Sequence, residues 1–188
     1  MSGICVAEAA ITLADYLRPG LHVLSIGLNP SLGSAEAGFY FANPRNRFWP
    51  ALFASGLAPP GMTPGREGIQ KLFEQHHMGF TDVVKRPSAG GGSLRAADFK
   101  RFAPQLRDKL LEFRPGVAWF HGKQAYQGYL RYGEGRPPEG DWGEQRDLAA
   151  CRVFVTPNPS PANAAYSLAD LIGWYRRLAV FAGGSRLG

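Results

Sequence analysis

Cysteine is scarce: Cys5 and Cys151 are the only two in 188 residues, far apart and without CxxC spacing. That excludes a four-cysteine iron–sulfur cluster or a cysteine-rich zinc site and leaves two buried free thiols as the expectation. No apolar run approaches the roughly 20 residues that a membrane span requires. The opening MSGICVAEAAITLADYL carries Glu8 and Asp15 but no basic stretch, so it reads as a helix and not as a secretion signal. A soluble, cytoplasmic protein is expected. The four histidines, His22, His76, His77 and His121, form no ligand constellation, and only His121 falls where a crevice should be. Gly122-Lys123-Gln124 lacks the glycine spacing of a nucleotide-binding P-loop. The sequence therefore calls for no metal and no cofactor.

Positive charge is what the chain has in excess, a formal +6 with a pI near 9.6. Arginine outnumbers lysine, and its planar fork suits phosphate oxygens. Length fits one domain spanning 1–188, with a single core and a monomer as the default. Short apolar runs at Leu21–Leu28, Gly79–Val84, Val117–Phe120 and Arg152–Thr156 have the form of strands buried on both faces. Helical periodicity is read at 4–17, Asn46–Leu57, Pro64–His77, Asp98–Arg114, Lys123–Tyr132 and Tyr166–Phe181. Residues 30–45 read as a long ordered loop, the segment around Trp142 as hairpin-like, and Lys85–Ala97, with three successive glycines, as a mobile surface loop. Strands alternating with helices predict an α/β fold with a mainly parallel sheet covered on both faces.

The rest is organised around Ser25–Leu57, SIGLNPSLGSAEAGFYFANPRNRFWPALFASGL. An apolar strand breaks into Asn29-Pro30-Ser31, so an amide stands at a strand's carboxyl end, where open α/β sheets place their ligand crevice. Phe39, Tyr40 and Phe41 follow Gly38, and Arg45 and Arg47 flank the next helix. An amide, an aromatic cluster and basic residues suit a planar, uncharged ring on a phosphate backbone.

GLNPSL followed by GFYFANPRNRFWPALFASGL closely resembles the first motif region of the mismatch-specific uracil/thymine DNA glycosylases, a branch of the uracil-DNA glycosylase superfamily that excises bases opposite guanine. The likeness continues through GFTDVVKRP, GKQAY and Pro157-Asn158-Pro159-Ser160, spanning most of Leu21 to Leu178. The resemblance implies a three-layer α/β/α sandwich and a monofunctional enzyme that flips uracil out of DNA and leaves an abasic site.

Cutting a deoxynucleoside N-glycosidic bond builds cationic character on the sugar and negative charge on the departing base. The site must place a water and donate to the base oxygens. An amide carbonyl can accept from water while its NH₂ is tied to a fixed neighbour, and by the motif Asn29 is the residue that positions it. The resemblance makes Phe41 the ring that stacks on the flipped base, with Leu28, Ser34 and Asn158 as further substrate contacts. Stacking is worth roughly 1–3 kcal/mol, comparable to the few kcal/mol that flipping costs.

Asp82, ending a strand, and Asp98, opening a helix, are both candidates for the base that assists the water; the competing reading of Asp98 is a first-turn acid that satisfies orphan amides. Arg45, Arg47, Lys85, Arg86 and Arg95 are expected around the mouth as phosphate contacts. Ser160, Pro161 and Ala162 stand where the family inserts residues into the duplex, but the family continues with glycine, a bulky wedge and a nearby arginine. Here Pro161-Ala162-Asn163-Ala164 follows. The expectation is weak dependence on the opposite base, with double-stranded DNA bearing uracil or mismatches as partner and single strands also in play. A non-catalytic protein that holds such DNA is the alternative.

Overall fold

The computed structural model describes residues 11–59, 61–148 and 151–183. Its centre is a five-stranded sheet ordered β2-β1-β3-β5-β4, built from β1 (Val23–Gly27), β2 (Met78–Asp82), β3 (Val117–His121), β4 (Gly143–Leu148) and β5 (Cys151–Thr156). The pairs β1–β2, β1–β3 and β3–β5 are parallel, and β4 runs antiparallel along the edge of β5.

Side chains of a strand alternate between faces, and that alternation divides the core in two. Leu24, Ile26, Ala118, Phe120, Val153 and Val155 face α4 (Ala96–Phe113) and α5 (Lys123–Gly133). Val23, Phe80, Val117, Trp119 and Phe154 face α2 (Phe48–Ser55), α3 (Arg66–His76) and α6 (Leu168–Gly183). Helices on both faces of a mostly parallel sheet are the expected three-layer α/β/α sandwich. The four parallel strands were legible because burial on both faces leaves nearly continuous apolar runs.

Three expectations differ. The described part of the expected first helix, 11–17, is not helical: Tyr16 pairs with Phe80 through N–H···O bonds of 2.9 and 3.2 Å, extending the sheet beyond β2. The free edge of β2 outcompetes local helical period there, and residues 1–10 lie outside the described residues. The segment 30–45 contains a short helix, α1 (Leu32–Ala37), whose first amides are capped by the Ser31 hydroxyl, which accepts from Ser34 N at 3.1 Å.

Lys85–Ala97, read as mobile, is tethered along its length. Ser88 pairs with Ser31 beside β1, Gly91–Ser93 form a 3₁₀ turn, and Arg86 is locked to Asp98. Glycine content signalled conformational freedom, but side-chain anchors outside the glycines fix the path.

Candidate active site

The carboxyl ends of β1, β2, β3 and β5 open into a cavity of about 170 Å³. Each strand delivers one polar side chain to it: Asn29 just beyond β1, Asp82 at the end of β2, His121 at the end of β3 and Asn158 just beyond β5. Phe41 and Ser88 complete the working wall.

Asn29 is held by its amide nitrogen alone. Nδ2 lies 2.7 Å from Ser88 Oγ, 3.0 Å from the Arg86 carbonyl and 3.1 Å from the Pro30 carbonyl, all acceptors. Ser88 passes its own hydroxyl proton on to the Gly90 carbonyl at 2.9 Å, which fixes it as an acceptor toward Asn29. The amide orientation is thereby set, and Oδ1 is the atom left to accept from a ligand or water.

Phe41 takes a left-handed backbone, φ 58°, which non-glycine residues adopt only when their surroundings enforce it. Two contacts do so. Ala42 N donates to the buried Ser34 hydroxyl at 3.3 Å, and the Phe41 ring stacks on Phe48 with centroids 3.8 Å apart and planes 10° from parallel. Stacked on Phe48, the ring lines the cavity with the His121 ring 5.2 Å away at 65°. Ser34, which also lines the cavity, thus shapes the loop that aims Phe41.

Asp82 is buried, its Oδ2 without a hydrogen-bond partner and 3.6 Å from Lys85 Nζ. Burial is the largest influence on its carboxyl and raises its pKa to about 6, against the opposing pull of Lys85. Behind it runs a chain of alternating charge. Lys85 donates to Asp15 at 2.7 Å and to the Tyr40 hydroxyl at 3.2 Å, and Lys109 donates to the other Asp15 oxygen at 2.6 Å.

His121 is buried, with Nε2 2.8 Å from Ser25 Oγ and Nδ1 unpartnered. Burial depresses its pKa to about 3, so it enters as a neutral imidazole. Among the described residues no group of three or more His, Cys, Asp or Glu side chains is placed to hold a metal ion.

Residues 14–179 match the family model of the uracil DNA glycosylase superfamily. The chain belongs to that superfamily. A DNA glycosylase role and DNA as the partner follow from that membership. The fold is also that of a solution NMR structure from Methanosarcina acetivorans, described as a candidate uracil DNA glycosylase: 22% identity, 89% of this chain and 97% of the other covered, TM-score 0.55.

Against this superfamily background, the site residues read from sequence separate into three groups. Leu28, Asn29, Ser34, Phe41, Asp82, Asn158 and Ser160 all line the cavity. Asp98 does not. It accepts both nitrogens of the Arg86 fork at 2.7 and 2.8 Å and the Arg95 amide at 2.8 Å, and its pKa falls to about 2, chiefly through Arg86. That is the helix-capping acid, two steps from the water site, since Arg86 reaches Asn29 through its carbonyl.

The expected phosphate contacts divide too. Lys85 is drawn inward to Asp15, and Arg86 is paired with Asp98. Arg47 is absorbed by the loop after β5: its guanidinium donates to the carbonyls of Pro159, Ser160, Asn163 and Tyr166, and its amide also donates to Pro159. Arg45 and Pro161, next to the lining residues Asn46 and Ser160, are exposed, as are Ala162 and Arg95.

Sequence reading did not single out Ser88 or Asn46 as site residues, and both line the cavity beside Tyr40 of the aromatic cluster. Ser88 carries no local signal, because its role arises only where the 86–90 segment runs beside Asn29. His121 did carry one, a polar residue closing an apolar parallel strand. No helix among the described residues is long and apolar enough to cross a membrane.

Proposed function

We propose that this protein is a monofunctional uracil-DNA glycosylase. It receives a uracil flipped from mismatched DNA, hydrolyses the N-glycosidic bond with a water held by Asn29, and leaves an abasic site. The observation that carries this reading is the one-sided anchoring of Asn29, whose three hydrogen-bond partners all engage Nδ2 and leave Oδ1 on the cavity. A water accepted there stands beside the ring held over Phe41, the arrangement needed to attack the sugar as the base departs. The neutral His121 adds a polar edge without charge, and Asn158 faces the cavity from the opposite strand end. No covalent nucleophile is called for.

On the DNA side, Arg45 and the backbone of the 158–163 loop are the contacts at the mouth. Ala162, at the exposed tip, offers one methyl group to the space a flipped base vacates. The opposite base therefore exerts little control, and uracil is removed from several pairs and from single strands.

Single-turnover abasic-site formation on duplexes carrying one G·U, A·U or G·T pair, and on single-stranded uracil, tests this. Cleavage of every uracil substrate is expected. Cleavage restricted to G·U keeps the enzyme and removes the argument from Ala162; DNA binding without product supports a non-catalytic binding protein.

A further inference from the structure

Beside the active cavity lies a second one, of about 200 Å³, that the proposed hydrolysis does not use. Leu28, His121 and Asn158 line both, so the two cavities lie back to back across those residues. The far side of the second is aromatic. Trp142, just before β4, and Tyr166, before α6, are half-buried there with ring centroids 5.5 Å apart and planes at 76°. A planar ligand lying flat against one ring meets the other edge-on, and both geometries are favourable for aromatic rings.

The polar lining is amide. Asn158 Oδ1 accepts from Ser160 N at 2.8 Å, which leaves its Nδ2 to donate. Asn163 Nδ2 donates to the Asn158 carbonyl at 3.0 Å, which leaves its Oδ1 to accept. Gln124 turns its Nε2 to the Gly91 carbonyl at 3.4 Å and likewise keeps Oε1 as an acceptor. Charge is already matched: Lys123 Nζ stands 2.7 Å from Asp141 and 4.6 Å from the centre of the Trp142 ring, and His121 is neutral through burial. An uncharged ring with donors and acceptors on its edge suits this lining better than a phosphate does. Every nucleobase is such a ring, and each has a π-face to stack.

We propose that this second cavity takes the unpaired nucleobase next to the uracil when the enzyme acts on single-stranded DNA, with Trp142 and Tyr166 as its aromatic walls. This rests on the glycosylase reading above and deepens it, by naming the group through which a single strand is held.

Connectivity selects this ligand. Two cavities that share three lining residues match two successive residues of one strand. In a duplex the neighbouring base is paired and stacked, and entering the cavity would require a second flip. A single strand has no such pairing to break, so the neighbour exchanges one stacking partner for another. The amides offer both kinds of hydrogen-bonding group without a fixed pattern, so the cavity distinguishes an unpaired strand from a duplex and not one sequence from another. Ala162, which fills a vacated base position poorly in a duplex, has no such gap to fill in a single strand.

The experiment measures binding of wild type, Trp142→Ala and Tyr166→Ala to single-stranded oligonucleotides carrying 2′-fluoro-2′-deoxyuridine, whose glycosidic bond resists hydrolysis. The neighbouring residue is either a normal nucleotide or a tetrahydrofuran spacer without a base, on the 5′ side in one set and the 3′ side in the other. In parallel, single-turnover excision is followed on uracil in single strands and in duplex. Removing the neighbouring base on one side should weaken wild-type binding about tenfold, the scale of one stacking contact. Trp142→Ala should bind the intact strand about tenfold more weakly, show no further loss with the spacer, and excise from duplex like wild type, which also reports an intact fold. Tyr166→Ala should follow the same pattern. Wild-type binding that ignores the spacer on both sides overturns the proposal without relying on any variant. So does a Trp142→Ala loss that is the same with and without the neighbouring base, or the same on duplex. Wild type that shows the spacer effect in binding and cleaves nothing retains the second cavity's role and removes the hydrolytic function; excision from single strands with no spacer effect keeps the enzyme and removes the second cavity's role.

Discussion

The two loops that face each other across the cavity are held by opposite means. On the β1 side, order comes from side chains acting on a side chain: Ser88 and the Arg86 carbonyl fix the Asn29 amide, and Asp98 fixes Arg86. On the β5 side, one side chain acts on backbone: Arg47 gathers four carbonyls of the 159–166 segment. The first arrangement specifies one atom's direction and tolerates no change of residue at Asn29. The second specifies a loop's path while leaving its tip, Pro161-Ala162, free of side-chain duties. Chemistry is fixed on one side, and the duplex-facing sequence is open to change on the other.

Breaking the first side should have the largest effect. Asn29→Ala removes the acceptor for the attacking water, and because misplacing a reacting group by an ångström costs about 100-fold, turnover should fall by at least that. DNA affinity, read by titration, should change little. If the variant turns over like wild type, the water is held elsewhere.

Breaking the second side acts on architecture. Arg47→Ala strands carbonyls that share a charged donor, each such bond being worth about 1.5–3 kcal/mol. Thermal unfolding should shift down by about 4–8 °C for a net loss near 2 kcal/mol, with DNA binding weakened on matched and mismatched duplexes alike. A variant with unchanged melting but lost DNA binding would instead make Arg47 a direct phosphate ligand.

Phe41 lies between the two loops, and Phe41→Ala should weaken binding of uracil-containing DNA about tenfold, within the roughly 1–3 kcal/mol of one stacking contact. Binding of uracil-free DNA is the control that should not move.

Asp98 sharpens the comparison through pH. Its folded pKa is depressed to about 2, so it contributes stability that is present above the ordinary carboxylate range and is lost as pH falls from about 4 to 2. Asp98→Asn should lack that acid-side loss in melting curves at successive pH values, and at neutral pH should slow turnover only a few-fold, because Asp98 reaches Asn29 solely through Arg86. A loss comparable to Asn29→Ala would return Asp98 to the catalytic role considered for it. The smallest effect is expected at the free tip: Ala162→Leu should leave the uracil rate in single strands unchanged and raise preference for G·U over A·U by a few-fold, consistent with a contact that carries no folding role.

The limits of sequence reading follow the same division. The four parallel strands announced themselves, because burial on both faces demands continuous apolar runs. Asn29 and Asp82 were found because strand ends are marked by a polar residue after such a run. Arg47 and Lys85 were misplaced because a positive charge beside a loop looks the same whether it faces phosphate, a backbone carbonyl or an aspartate 70 positions away. Extended pairing of Tyr16 with β2 was hidden for a related reason, since an open sheet edge overrides the local period of the segment that covers it.

The sequence by itself determined the layered α/β architecture and the amide and aromatic ring at the end of the first strand, since both rest on local patterns of burial and chain breaking. Only the tertiary structure decided which charges face the cavity and which are neutralised behind it, that Asn29 is held by its nitrogen, and that Asp82 is buried with its Oδ2 3.6 Å from Lys85 Nζ. Those are properties of pairs brought together from distant positions, and burial, which sets their charge, does not exist until the chain has folded.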